Sequence, residues 1–193
     1  MDVPPQPAAD DPQALLAASD AARARGAPRE GAAWAEAAAR LAEVGADPET
    51  GARALALLAL HQVRLGELER AAASGQQAVA RFSACGPSAE RARTHGILSL
   101  AYERAGLHTL AVAQAAAALD MARALSDLNA ECWALIRLGT AADESEDQQG
   151  LPLLAQAVEL ARRLPRPSPA IAPAAAWGAS WRSIPAFRSC ASS

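Results

Sequence analysis

The chain has 193 residues, 51% of them hydrophobic but only 4% aromatic, and a net charge of −3. That length is enough to bury a core, and the shortage of rings means the core is built by close approach of small side chains. The slightly acidic balance gives no footprint for nucleic acid, and no apolar run reaches the ~18 residues expected of a membrane span.

All 18 cations are arginine, which reads as codon usage in a GC-rich genome rather than as selection for bidentate recognition. Cys85, Cys132 and Cys190 are odd in number and widely spaced, as for reduced thiols rather than a disulfide framework. The start, MDVPPQPAADD, lacks the basic and apolar regions of a secretory signal. A soluble, cytoplasmic protein is the expectation.

Residues 1–10 read as a disordered lead-in with three prolines. Asp11-Pro12 opens a helix, since Asp caps free amides and Pro tolerates the first helical position. That helix runs to Gly26, and a second ends at Gly45. Asp47-Pro48 repeats the start signal, and the third helix ends at Gly66. The fourth runs from about Glu67 to Ala84 and is closed by Gly86-Pro87. Ser88 opens a fifth, ending at Gly106, and the sixth reaches Leu125. Asp127 caps the seventh, LNAECWALIRLGTAA. The polar stretch DESEDQQG leads to the eighth, LPLLAQAVELARRL.

Gly26, Gly66 and Gly106 fall 40 residues apart, as do Ala38, Ala78 and Ala118; Ala157 comes one residue early in the next unit. A fixed long period with two helices per unit marks a helical solenoid. One helix pair cannot bury its apolar face alone, and stacked neighbours complete the core.

These residues resemble the tetratricopeptide repeat. The third unit offers Leu98-Ser99, Tyr102, Gly106, Ala111 and Ala118; the second offers Leu58-Ala59, Gly66, Ala71 and Ala78, with Gln62 in place of the aromatic. The first unit has Ala22 at the aromatic position, and the fourth keeps Leu138-Gly139 but lacks the turn glycine. The family's usual repeat is about 34 residues; the longer form resembles repeats of bacterial signalling and regulatory proteins. The resemblance implies an all-α fold: a right-handed αα solenoid of about four TPR-like helix pairs over residues 11–164. It also implies a scaffold that binds proteins.

After Leu164 the composition changes. Residues 165–193 hold five Pro and two Trp with no acidic residue. Three readings stand: a disordered tail, a partner-binding segment, or out-of-frame translation of a GC-rich gene. Under the last, the chain would be the regulatory N-terminal part of a bacterial signalling protein, such as a diguanylate cyclase or transcriptional regulator, lacking its output domain.

No catalytic constellation, cofactor loop or metal set is expected. Asp143, Glu144, Glu146 and Asp147 lack the geometry of a calcium loop, and His61, His95 and His108 lack zinc-ligand spacing. His95 reads as a core or edge filler. The resemblance places the first helix of each pair on the inner, concave face. Arg53 and Arg93 occupy equivalent positions there, as do Arg64 and Arg104, giving a cationic stripe suited to an acidic peptide. Leu60, Leu100 and Ile136 offer an apolar alternative. The carboxylate-clamp pattern is absent, because groove positions carry Ala56 and Leu60. The expected function is a noncatalytic interaction module that takes a partner peptide or helix in its groove, with neither nucleic acid nor membrane as partner. An open C-terminal face at Trp133 and Leu154 would favour a homodimer.

Overall fold

The computed structural model describes residues 7–143 and 150–164. Residues 1–6 of the lead-in, Glu144, Glu146 and Asp147 of the acidic run, and the tail 165–193 with Cys190 lie outside the described residues. Eight helices and no strand occur among those described: α1 (Pro12–Arg25), α2 (Pro28–Val44), α3 (Pro48–Leu65), α4 (Leu68–Ser83), α5 (Ala89–Arg104), α6 (His108–Ala124), α7 (Leu128–Asp143) and α8 (Gly150–Arg163).

Each first helix of a pair starts at a side-chain cap. Asp11 accepts from the Gln13 amide at 2.8 Å, Asp47 from Thr50 at 3.0 Å and Ser88 from Arg91 at 3.1 Å. Asp127 accepts from both Asn129 and Ala130 at 3.0 Å. Such caps satisfy amides that the helix itself leaves without partners. The second helices α2, α4 and α6 have no side-chain cap; they start directly from the tight turn.

Gly26, Gly66 and Gly106 take φ of 74°, 77° and 73°, the left-handed stop that closes a helix by returning amides to its last carbonyls. A second left-handed site follows the second helices. It is held by Ala46 at φ 51°, Gly86 at φ 80° and Ser126 at φ 56°, again 40 residues apart. The sequence places the end of α2 at Gly45. The helix ends at Val44 with Gly45 as its cap, right-handed at φ −79°; Ala46 makes the left-handed turn, and the Asp47 amide reaches the Ala42 carbonyl at 3.0 Å.

The chain forms two compact units, divided between Pro87 and Ser88. In the first, α1 pairs with α2 and α3 with α4; α3 also packs on α2 and on α1. In the second, α5 pairs with α6 and α7 with α8; α7 also packs on α6 and on α5. Within each unit the two first helices are therefore neighbours in one layer.

Alanine makes this packing close. Ala22, Ala35, Ala38, Ala52, Ala59, Ala71 and Ala78 are fully buried in the first unit. In the second, Ala118, Leu119, Cys132, Ala134, Leu135, Ala157, Ala161 and Leu164 form one cluster, with Trp133, Ile136 and Leu160 against it. Ala38, Ala78, Ala118 and Ala157, picked out by their period, are all buried. Where a first helix meets the start of its partner helix, a small residue is needed. Ser19 fills this position and donates to the Gly31 carbonyl at 2.9 Å; Ser99 donates to Ala111 at 2.9 Å. Ala59 and Gly139 stand at the same repeat position.

Candidate functional site

The buried titratable groups are engaged in holding helices together. His61 is fully buried on α3 and shares a 3.1 Å contact with Ser19 Oγ through Nε2. Ser19 gives its own proton to Gly31, so His61 Nε2 is the donor, and Nδ1 is left without a partner. Burial pushes the His61 pKa down, only partly offset by the Ser19 bond. His95 is buried on α5, with Nδ1 2.9 Å from Gln114 Oε1 on α6, and burial depresses its pKa as well. It is the core filler its position predicts. The Cys132 thiol, 3.2 Å from the Ala157 carbonyl, is pushed up to about 11 by burial and by the nearby Glu131 carboxylate. A thiol so protonated is a poor nucleophile. Among the described residues, no three His, Cys, Asp or Glu side chains gather as a metal site would require.

The residues expected to bind a partner lie on α3 and α5, the first helices of the second and third pairs. On α3, Arg53 is half-buried and makes no ion pair among the described residues, although its charge helps hold the Asp47 carboxyl down, behind the hydrogen bonds from Thr50. Leu60 is half-buried. Arg64 is exposed and donates to the Arg23 carbonyl at 2.8 Å, closing the end of α1. On α5, Arg93 lies 3.7 Å from Glu90, Leu100 is half-buried, and Arg104 is exposed with no ion pair among the described residues. In each repeat-equivalent pair, then, one arginine has a close polar partner and the other makes no ion pair among the described residues. Ile136 is partly buried against the second unit's core.

One open cleft of about 240 Å³ lies within the second unit, between the first turns of α5 and α7. Its walls are Ala89, Glu90 and Arg93 from α5, and Asp127, Asn129, Ala130 and Trp133 from α7. Of these only Arg93 is anticipated as a site residue by the sequence. A signal for Trp133 is nevertheless present: it falls 40 residues after Arg93 and 80 after Arg53, so it holds the same repeat position. The aromatic ring needs room. A Cβ on Gly96 would come within 1.9 Å of Trp133 Cζ3, so the indole is seated where α5 has no side chain. Leu154 similarly fills the space over Gly139. Both residues expected to face out of an open end are thus in contact with their own unit.

Deeper in the same layer, Arg137 pairs with Glu103 at 3.3 Å, and Thr140 donates to the same carboxylate oxygen at 3.0 Å. Both carry most of their surface buried. This arrangement joins α5 to α7 towards their C-terminal ends. No helix among the described residues is long and apolar enough to cross a membrane.

No family model and no curated protein matches this chain. Solved structures do. A kinesin light chain from Podosopora anserina with nearly identical TPR-like repeats superposes with a TM-score of 0.68 at 17% identity, over 94% of this chain and 92% of that one. A glutamine-to-methionine variant of it gives 0.68 at 16% identity, over 93% and 91%. At such identity the likeness speaks to architecture alone. Read with the capped first helices, the left-handed turns every 40 residues and the alanine-filled core, it gives this chain the TPR-like helical-repeat fold.

Proposed function

We propose that the chain is a noncatalytic interaction module whose first-helix faces hold a peptide or helix of a protein partner. TPR-like folds generally mediate protein–protein contacts, and a groove lined by repeated side chains suits an extended or helical segment. The observation that carries the reading is Arg104, exposed on α5 of the second unit with no ion pair among the described residues; Arg53, on α3 of the first unit, is coupled to Asp47 through its charge alone. A cation without an ion-pair partner among the described residues is available to an acidic partner residue. Leu60 and Leu100, half-buried one turn before Arg64 and Arg104, supply apolar contact. A homodimer has less support, since Trp133 and Leu154 are seated on Gly96 and Gly139.

The test is an array of defined acidic–apolar peptides probed with the full chain and, separately, with Arg53→Glu and Arg104→Glu variants, one in each unit. Capture by the parent chain should favour peptides with acidic residues, and the Arg104→Glu variant should lose about tenfold in affinity, as expected when a charge-assisted contact becomes repulsive. Equal capture by parent and variant would remove that arginine from the binding surface.

A further inference from the structure

We infer that the cleft between the first turns of α5 and α7 accepts one basic side chain, arginine or lysine, of a bound peptide. This deepens the interaction reading and rests on it for the chain that delivers the basic residue. Charge is the first argument. Three ionised groups line the cleft: Glu90, Arg93 and Asp127. Arg93 and Glu90 face each other at 3.7 Å and largely cancel. Asp127 makes no ion pair among the described residues; its Oδ1 holds the amides of Asn129 and Ala130, and its second oxygen is left over. The three side chains therefore sum to a net charge of −1, partly offset by the positive N-terminal ends of α5 and α7.

The second argument is the indole. Trp133 is only half-buried, and among the described residues nothing accepts from its Nε1–H and no cation lies over its ring. A ring face of this kind attracts a guanidinium or ammonium, more strongly for Trp than for other aromatics. The third is shape. Ala89 and Ala130 are methyl walls along which the aliphatic stem of Arg or Lys can lie while its head reaches the carboxylate. About 240 Å³ is room for one long side chain and not for a folded element. At the equivalent position of the second repeat stands Arg53, so a basic residue would be repelled there.

The experiment uses the full chain with 15N-labelled tryptophan, the Trp133 Nε1–H resonance being identified by its loss in Trp133→Phe. The probe is the capped tripeptide Ala-Arg-Ala, with Ala-Gln-Ala and Ala-Glu-Ala as comparisons. The arginine peptide should shift the Trp133 resonance saturably with a Kd on the order of millimolar, a reach appropriate to one anchored side chain. The glutamine peptide should bind about tenfold more weakly or not at all. Asp127→Asn keeps the helix cap, because Asn caps as well as Asp, and should weaken the arginine peptide about threefold to tenfold. Arg93→Glu should tighten it while weakening any acidic peptide held by the α5 face. Absence of a saturable shift, equal binding of the glutamate peptide, or an Asp127→Asn variant that binds unchanged would each overturn the cleft assignment. The tripeptide is too short to span the α3 or α5 face, so those failures leave the wider interaction reading standing. Loss of acidic-peptide capture alone would do the reverse.

Discussion

His61 and Gly31 are one fitted pair. A Cβ at position 31 would lie 2.1 to 2.8 Å from three atoms of the imidazole, and the ring is fully buried with its tautomer set by Ser19. Gly31→Ala should therefore destabilise the chain by about 1–3 kcal/mol, the usual range for overpacking, as read by urea unfolding. His61→Ala vacates the site, so adding it to Gly31→Ala should give a total cost below the sum of the two single variants. Additive costs would mean that the two residues do not share the space. None of this was legible in the sequence, where Gly31 reads as an ordinary helical residue and His61 as an isolated histidine. Contacts between residues on different helices depend on rotation about each axis, which a one-dimensional pattern leaves open. The arginines show the same limit: their 40-residue spacing is visible, but not that Arg64 closes the end of α1 while Arg53 acts on Asp47 through its charge alone.

Elements are set by local chemistry, and that chemistry is legible in the sequence. Asp11, Asp47, Ser88 and Asp127 are all caps, and Gly26, Gly66 and Gly106 are all left-handed stops. These outcomes involve a residue and its own next turn, so they need no knowledge of the fold. The exception is the end of α2, where Ala46 rather than Gly45 takes positive φ, and the end of α6, where Ser126 does. At this repeat position Gly86 has the residue best suited to the backbone. The left-handed region costs a Cβ-bearing residue roughly 1–2 kcal/mol, partly offset by the extra freedom glycine has when unfolded. Ala46→Gly and Ser126→Gly should each raise stability by about 0.5–1 kcal/mol, measured as a higher midpoint of thermal unfolding. Gly86→Ala should lower it. A lower midpoint for both glycine variants would show that helix ends other than these limit stability.

Across the whole molecule each unit holds one buried histidine with a depressed pKa, His61 in the first and His95 in the second. Folding disfavours their protonated forms, so the unfolded chain binds more protons as pH falls below the ordinary histidine value of about 6.5. Stability is complete above that value and declines as pH falls through the lower folded-state values. Asp47, held down chiefly by Thr50, adds a separate loss only below its ordinary 3.8. Thermal midpoints should hold steady above the ordinary histidine value of about 6.5 and drop as pH falls below it. A His61→Gln/His95→Gln chain should show a flatter profile there, whatever its absolute stability. An equally steep drop in that variant would assign the effect to carboxylates. The period of 40 made the eight helices and their pairing legible at this scale, because repetition multiplies weak signals. The division between Pro87 and Ser88 carried no such signal, since Gly86-Pro87 looks like any other connection in the series.

The seating of Trp133 on Gly96 has a consequence for how a chain of similar segments avoids confusion. Helices that resemble one another can dock on the wrong neighbour, forty residues out of step. Shifted by one repeat, Trp133 would meet the methyl group of Ala56, and by two, the branched side chain of Leu16. His61 likewise finds its gap at Gly31 and would collide with Ala71 or Ala111 in a later copy. Each missing Cβ acts as a keyhole that only one helix can enter, so the departures from perfect repetition proofread the order in which the helices assemble.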